Sequence, residues 1–175
     1  MSFNPLKSNP RPPYSLNSLT DIDTTFGGVR IQQTWSALFM LGKLIEEEEI
    51  TNVVQLGRGT GALHDFFRCY CLTYSYDLPQ DVFQAKIIIE IEKLVQNTWT
   101  GKYLIFCDDG DKPRELRTYA NILKRGDHIL VHDYRRTGGI TFRQVLEIME
   151  DKDLEFYRQQ EFDDLQTYIV SLRKK

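Results

Sequence analysis

The 175-residue chain is 41% apolar, 27% charged and 12% aromatic, a balance that excludes extensive disorder and predicts one main globular domain. With 22 Lys and Arg against 25 Asp and Glu the formal charge is -3, so no global positive field is available for a phosphate backbone, which argues against a nucleic-acid partner. No apolar run approaches the ~18 residues that would cross a bilayer, and the N-terminus lacks the apolar stretch of a signal peptide, so no membrane association and a cytoplasmic location are expected.

Four of the six prolines fall within residues 1–13, and Ser, Asn and Thr fill much of the stretch to Thr25, so residues 1–25 are expected to form a flexible Pro-rich arm ahead of a single domain over 26–175. Asn9-Pro10-Arg11-Pro12-Pro13-Tyr14 is superficially similar to the Asn/Asp-Pro-Pro-Tyr motif of enzymes that methylate amino groups on bases. That motif needs a preceding strand to aim its polar groups, and none is patterned here.

From Ile31 the apolar positions Trp35, Leu38, Phe39 and Ile45 predict an amphipathic helix to about Glu48, with Glu46 to Glu49 as its solvated end. Asn52–Leu56 reads as a buried strand, followed by a glycine loop, a short helix through Leu63, Phe66 and Phe67, and a second strand over Cys71–Tyr76 ending at Asp77. Cys69, Cys71 and Cys107 include no CxxC spacing, and Cys69 and Cys71 are expected on one face of a strand-like stretch; neither a disulfide framework nor a zinc site follows. Between Phe83 and Trp99 two readings compete. Phe83, Ile87, Ile91, Leu94 and Val95 suit one helix, whereas the β-branched run Ile87-Ile88-Ile89 suits a third strand ending near Glu90 before a helix from about Ile91; strand then helix is the preferred reading.

Tyr103–Cys107 is a clear strand ending at Asp108, Pro113 marks the first turn of the next helix, Gly126 closes it, and His128–Val131 is a strand ending at His132-Asp133-Tyr134. Thr141 is placed to cap a helix through Phe142, Val145, Leu146 and Met149, after which Leu154–Phe162 and Gln166–Leu172 alternate like a terminal antiparallel hairpin. Strands alternating with helices predict an α/β fold with a mostly parallel sheet.

The strongest chemical signal is Val53-Val54-Gln55-Leu56-Gly57-Arg58-Gly59-Thr60-Gly61, a strand running into alternate glycines and then a helix. Such a loop lets backbone approach a nucleotide-like ligand beyond the strand ends. Ala62 also completes the dinucleotide pattern GxGxxG/A, and Asp77, 20 residues after Gly57, is a ribose-binding acid in either reading, so the motif leaves S-adenosylmethionine and NAD open.

The glycine loop, Asp77, Asp108, the pair His132-Asp133 and the closing hairpin together resemble class I S-adenosylmethionine-dependent methyltransferases. The resemblance extends over roughly residues 27–175 and is nearest to the branch of macrocin O-methyltransferases and cephalosporin-hydroxylase-like proteins, through Phe106-Cys107-Asp108-Asp109-Gly110-Asp111-Lys112-Pro113 and Lys124-Arg125-Gly126-Asp127-His128. It implies a Rossmann-like sheet, shortened between strands two and four because only about 25 residues separate Asp77 from Tyr103. It implies S-adenosylmethionine as cofactor, bound by Gly57, Arg58, Gly59, Gly61, Asp77 and Asp108, with Gln33 and Gln55 on the methionine side, Gly27 and Gly28 closing over the carboxylate and Glu90 on the adenine side. Gln55 stands where the family usually has an acid, so Gln55→Glu is expected to raise cofactor affinity.

In metal-dependent members of that family the matching strand-end acids hold Mg²⁺, which assigns Asp108, His132 and Asp133 as candidate ligands for Mg²⁺ or, with His132 replacing a hard oxygen donor, Mn²⁺. His132 is equally a candidate general base, with Asp109 and Lys112 as further catalytic candidates and His64 and His128 as structural residues. The reaction so implied is O-methylation of a small-molecule hydroxyl; a non-catalytic methyltransferase-fold binding protein and an NAD-dependent enzyme are the alternatives. Arg58, Arg135 and Arg136 would suit an anionic acceptor, although exposed arginines are commonly solvated surface, and the apolar first helix leaves room for a homodimer.

Overall fold

A computed structural model describes residues 24–77, 84–97 and 101–175. The leader motif at Asn9–Tyr14 lies outside them. Thr24 is buried, and Thr25–Phe26 (β1) pairs antiparallel with Val29–Arg30 (β2) across a Gly27-Gly28 turn, so the last residues assigned to the arm are built into the domain.

A six-stranded sheet follows, made of Ile50–Leu56 (β3), Leu72–Tyr76 (β4), Lys102–Cys107 (β5), His128–Val131 (β6), Leu154–Phe156 (β7) and Val170–Lys174 (β8), in the order β4-β3-β5-β6-β8-β7. β4, β3, β5 and β6 are parallel, and β8 runs antiparallel to both β6 and β7. Trp35–Glu47 (α1), Ala62–Arg68 (α2) and Gln159–Asp164 (α6) lie on one face, and Gln84–Asn97 (α3), Lys112–Ala120 (α4) and Phe142–Lys152 (α5) on the other. The period of two in the strands divides the core: Val54, Ile105 and Ile129 meet the α3–α5 side, while Val53, Leu104, Phe106 and Leu130 meet the α1–α2 side. Side chains buried on both faces explain why these strands read as unbroken apolar runs. No helix among the described residues is long and apolar enough to cross a membrane.

Three sequence expectations change. The run 87–89 is no strand: α3 is one continuous helix whose Ile91 and Val95 are fully buried, with Ile87 and Ile88 packed beside them and Ile89 exposed, so the helical stripe outweighs β-branching. The crossover from β4 to β5 is therefore this single helix, β4 is the sheet edge, and Glu90 sits mid-helix, where it accepts a bond from the Tyr76 hydroxyl at 3.2 Å. The terminal hairpin is shorter than expected because 159–164 forms α6; the Gln159 amide bonds both Ile169 O at 3.1 Å and Ser171 N at 2.7 Å, taking the place of a strand's peptide group at the start of β8. Cys69 caps α2 and Cys71 precedes β4, so neither lies in the strand.

The Glu46–Glu49 run is only partly solvated. Glu48 receives hydrogen bonds from Tyr157 and Lys102 and lies 3.7 Å from the fully buried His128. Burial pushes the His128 imidazole down to about 4, against the pull of Glu48. From pH 6.5 to about 4 the unfolded chain gains a proton that the folded chain refuses, so stability falls as pH falls through that window, by on the order of 3 kcal/mol. Glu48, held below its ordinary range by Tyr157 and Lys102 despite its burial, acts in the same sense below pH 4.5. His128→Leu is expected to flatten the pH dependence of the urea midpoint between 6.5 and about 4. An unchanged slope would show that His128 does not carry it.

Candidate functional site

At the carboxyl end of the sheet β3 is flanked by β4 and β5, the point where connections diverge and a crevice opens. Backbone bonds carry the ladder past the strands: Gly57 N–H donates to Tyr76 O at 2.8 Å, Asp108 N–H to Leu56 O at 3.0 Å and His132 N–H to Cys107 O at 3.0 Å. Gly57 adopts φ +86°, and a Cβ there would lie 2.7 Å from the Asp108 carbonyl carbon, so only glycine lets the two loops meet. Gly61, also at φ 86°, caps α2.

Asp77 clamps this loop. Its Oδ1 accepts Arg58 N–H at 2.6 Å and Gly59 N–H at 3.3 Å. Behind the loop runs a directional relay, in which His64 Nδ1 bonds Ser75 Oγ at 2.6 Å, Ser75 Oγ donates to Gln55 Oε1 at 2.9 Å, and Gln55 Nε2 donates to Gly57 O at 2.7 Å. Burial and nearby Arg58 push His64 down, which keeps it neutral and suited to donate at the head of the relay. The chain needs an acceptor and a donor on residue 55, which an amide has and a carboxylate lacks. Gln55→Glu would set a buried charge against the Gly57 carbonyl and should cost roughly 1–3 kcal/mol in urea denaturation, whatever it does to cofactor affinity. A parent-like midpoint would show that the relay is dispensable.

Asp108 is the hub of a second cluster. Gln33 Nε2 donates to its Oδ2 at 2.9 Å, while His132 Nδ1 lies 2.9 Å and Lys112 Nζ 3.5 Å from its Oδ1. Lys112, 4% exposed at the start of α4, thus holds the carboxylate from behind. The loop ahead of α4 is pinned by Asp111, which caps the helix, and by Glu115, whose Oε1 accepts Gly110 N–H at 2.5 Å. Asp133, at φ 58°, brings its Oδ1 to 3.6 Å from His132 Nδ1, and Asp108, His132 and Asp133 offer ligand atoms within 4.8 Å of one another.

Two adjoining cavities open here. The first, of about 250 Å³, is lined by the glycine loop with Gln55, Asp77, Asp108 and Asp109. The second, of about 490 Å³, is lined by Arg30, His132, Arg136 and Tyr168 among others, and Gln33 and Thr60 border both. Gln33 Oε1 is buried and has no hydrogen-bond partner among the described residues, an acceptor left for a ligand at the seam. The sequence reading thus gathers Gln33, Gln55, Gly57, Arg58, Gly59 and Asp77 at the first cavity and His132 at the second. Gly27, Gly28, Gly61, Glu90, Lys112 and Asp133 are outside both linings. Thr60, Arg30 and Tyr168 were not singled out: Thr60 docks β2 through a 2.8 Å bond to Arg30 O, and nothing local in sequence marks the other two.

No sequence family matches the chain, and no curated protein is a recognisable relative. Solved structures do match. One described as "cmcI-N160 SAH" superposes with a TM-score of 0.56 at 12% identity, covering 95% of this chain and 95% of that one. A protein-(glutamine-N5) methyltransferase (release factor-specific) from Alicyclobacillus acidocaldarius superposes with a TM-score of 0.50 at 12% identity, covering 80% of this chain and 90% of that one. The chain shares the Rossmann-like fold of these structures. Within that fold the glycine loop, Asp77 and Asp108 stand at the ends of adjacent parallel strands, β3, β4 and β5, where the crevice between diverging connections lies.

Proposed function

We propose that the protein binds S-adenosylmethionine in the first cavity and transfers its methyl group to a hydroxyl of a small molecule held in the second, in a cytoplasmic setting. The observation that carries this reading is the charge and hydrogen-bond state of the glycine loop. Among the described residues, Asp77, Asp108 and Asp109 line the cavity against one cation, Arg58, and the Arg58 and Gly59 amides are spent on Asp77. A dinucleotide needs such amides free for its pyrophosphate, whereas a ligand with a sulfonium and an ammonium group is favoured by carboxylates.

When bound, the cofactor supplies an electrophilic methyl group, which the acceptor oxygen takes up as the carbon–sulfur bond breaks and a neutral thioether leaves. His132 receives the hydroxyl proton: with Nδ1 engaged by Asp108, Nε2 is the nitrogen left to accept it. Asp108 orients that ring and steadies the imidazolium that forms, while Gln33 ties the carboxylate to the wall shared by the two cavities. As an alternative to that base role, the donor set of Asp108, His132 and Asp133 fits a divalent cation that accepts nitrogen as well as oxygen, Mn²⁺ in preference to Mg²⁺; such an ion would occupy the imidazole lone pair and would instead add positive charge near the acceptor oxygen. Lys112 already neutralises part of Asp108, so such an ion is expected to bind weakly.

A binding protein without catalysis is the second reading, favoured by Gln55, whose amide is committed to Ser75 and Gly57 and brings no charge to the cavity. Calorimetry with S-adenosylmethionine, S-adenosylhomocysteine and NAD is expected to give heats for the first two and none for NAD. Preferential binding of NAD would replace the proposed chemistry with hydride transfer.

A further inference from the structure

The two cavities share a wall but carry opposite charge. Three carboxylates line the first; none of the described residues lining the second is acidic, and there Arg30, Arg136 and His132 border a space of about 490 Å³. Arg136 stacks on the Tyr168 ring, 4.6 Å from its centroid, and makes only a long, exposed ion pair with Asp133 at 4.0 Å, which leaves its fork free for a closer anion. Arg30 forms no ion pair among the described residues. Thr34, also on the lining, is the N-cap of the 13-residue α1, whose first turn carries no acid, so the positive end of that helix adds to the same field. Two arginines, one held flat on an aromatic ring, and a helix N-terminus line the same cavity, with no carboxylate among the described lining residues. Arg's planar fork matches carboxylate and phosphate oxygens in pairs.

We infer that the second cavity takes an acceptor bearing an anionic group, a carboxylate or a phosphate monoester, seated on Arg30 and Arg136 while its hydroxyl faces His132. This rests on the methyl-transfer reading for the word acceptor, but the anion site is testable apart from it. The contrast between cavities also gives the two ligands distinct addresses: cationic cofactor on the carboxylates, anionic acceptor on the guanidiniums.

The test uses the full chain saturated with S-adenosylhomocysteine and three small probes of one shape: 3-hydroxybenzoate, 3-hydroxyphenyl phosphate and the neutral 3-hydroxybenzamide, titrated by ligand-observed NMR. At least one anionic probe is expected to bind about tenfold or more tightly than the amide, and the carboxylate and phosphate arms show which anion the site prefers. Arg136→Gln and Arg30→Gln should each remove most of that preference while leaving the thermal midpoint and the S-adenosylhomocysteine isotherm unchanged, because neither side chain lines the first cavity. Equal affinity for all three probes, no binding of either anion at millimolar concentration, or an anion preference that survives both substitutions would overturn the inference. Failure to bind S-adenosylhomocysteine with a retained, arginine-dependent anion preference would instead overturn the methyl-transfer reading and leave the anion site standing.

Discussion

Asp77→Ala is expected to weaken S-adenosylhomocysteine binding by about a hundredfold or more. Asp77 is expected to do two things at once: Oδ1 holds the Arg58 and Gly59 amides, and the residue lines the first cavity, where its second oxygen would accept from ribose hydroxyls. Charge-assisted hydrogen bonds of this kind contribute roughly 1.5–3 kcal/mol each, so losing two to the ligand already reaches a hundredfold before the loop loosens. Asp77→Asn separates the two roles. It keeps an oxygen for the loop amides and replaces the ligand-facing oxygen with a donor, and a loss of about tenfold is expected. The residue is exposed, so both variants should fold as the parent does. Parent-like affinity in the alanine variant would remove Asp77 from the site.

Gly57→Ala is expected to cost roughly 2–5 kcal/mol in urea denaturation, the sum of left-handed strain and overpacking against a backbone that cannot yield. The added methyl group would meet the Asp108 carbonyl and come within 3.0 Å of the Asp109 Cα, at φ +86°. Gly59→Ala provides the control. Gly59 is also left-handed, at φ +52°, but nothing lies within 4 Å of a Cβ there, so only the strain, about 1–2 kcal/mol, should appear. Equal losses at the two positions would mean that the contact between the β3 and β5 loops is not as close as the structure has it.

Much of the architecture is legible in the sequence because the strands are buried on both faces and the helices are not. Tyr103–Cys107 and His128–Val131 read as apolar runs, and β5 and β6 are there; Thr141 reads as a cap, and it forms a capping box with Gln144. The 87–89 run misleads because three consecutive isoleucines satisfy a strand pattern locally, while the stripe that buries Ile91 and Val95 extends over two further turns. α6 escapes detection because it is six residues long and docks through the Gln159 side chain, a tertiary contact with no local periodicity.

The site divides in the same way. The glycine loop and Asp77 are marked by their spacing, and Asp108 and His132 by their places at strand ends together with the family resemblance. Their partners are less visible. That Asp77 clamps the loop, that Gln55 stands in a relay needing an amide, and that Lys112 is buried behind Asp108 all depend on distances across the sheet. The second cavity is assembled from β2, the α1 cap, the loop after β6 and Tyr168, segments separated by more than a hundred positions, so no motif announces it.

The most direct test of the account is a crystal structure of the protein with S-adenosylhomocysteine. The expected result is a ligand lying along the Gly57–Gly61 loop, its ribose hydroxyls on Asp77, its ammonium group within reach of the buried Gln33 Oε1, and its sulfur at the seam facing the cavity that holds His132. A ligand bound elsewhere, or one whose sulfur points away from His132, would contradict methyl transfer between these two cavities.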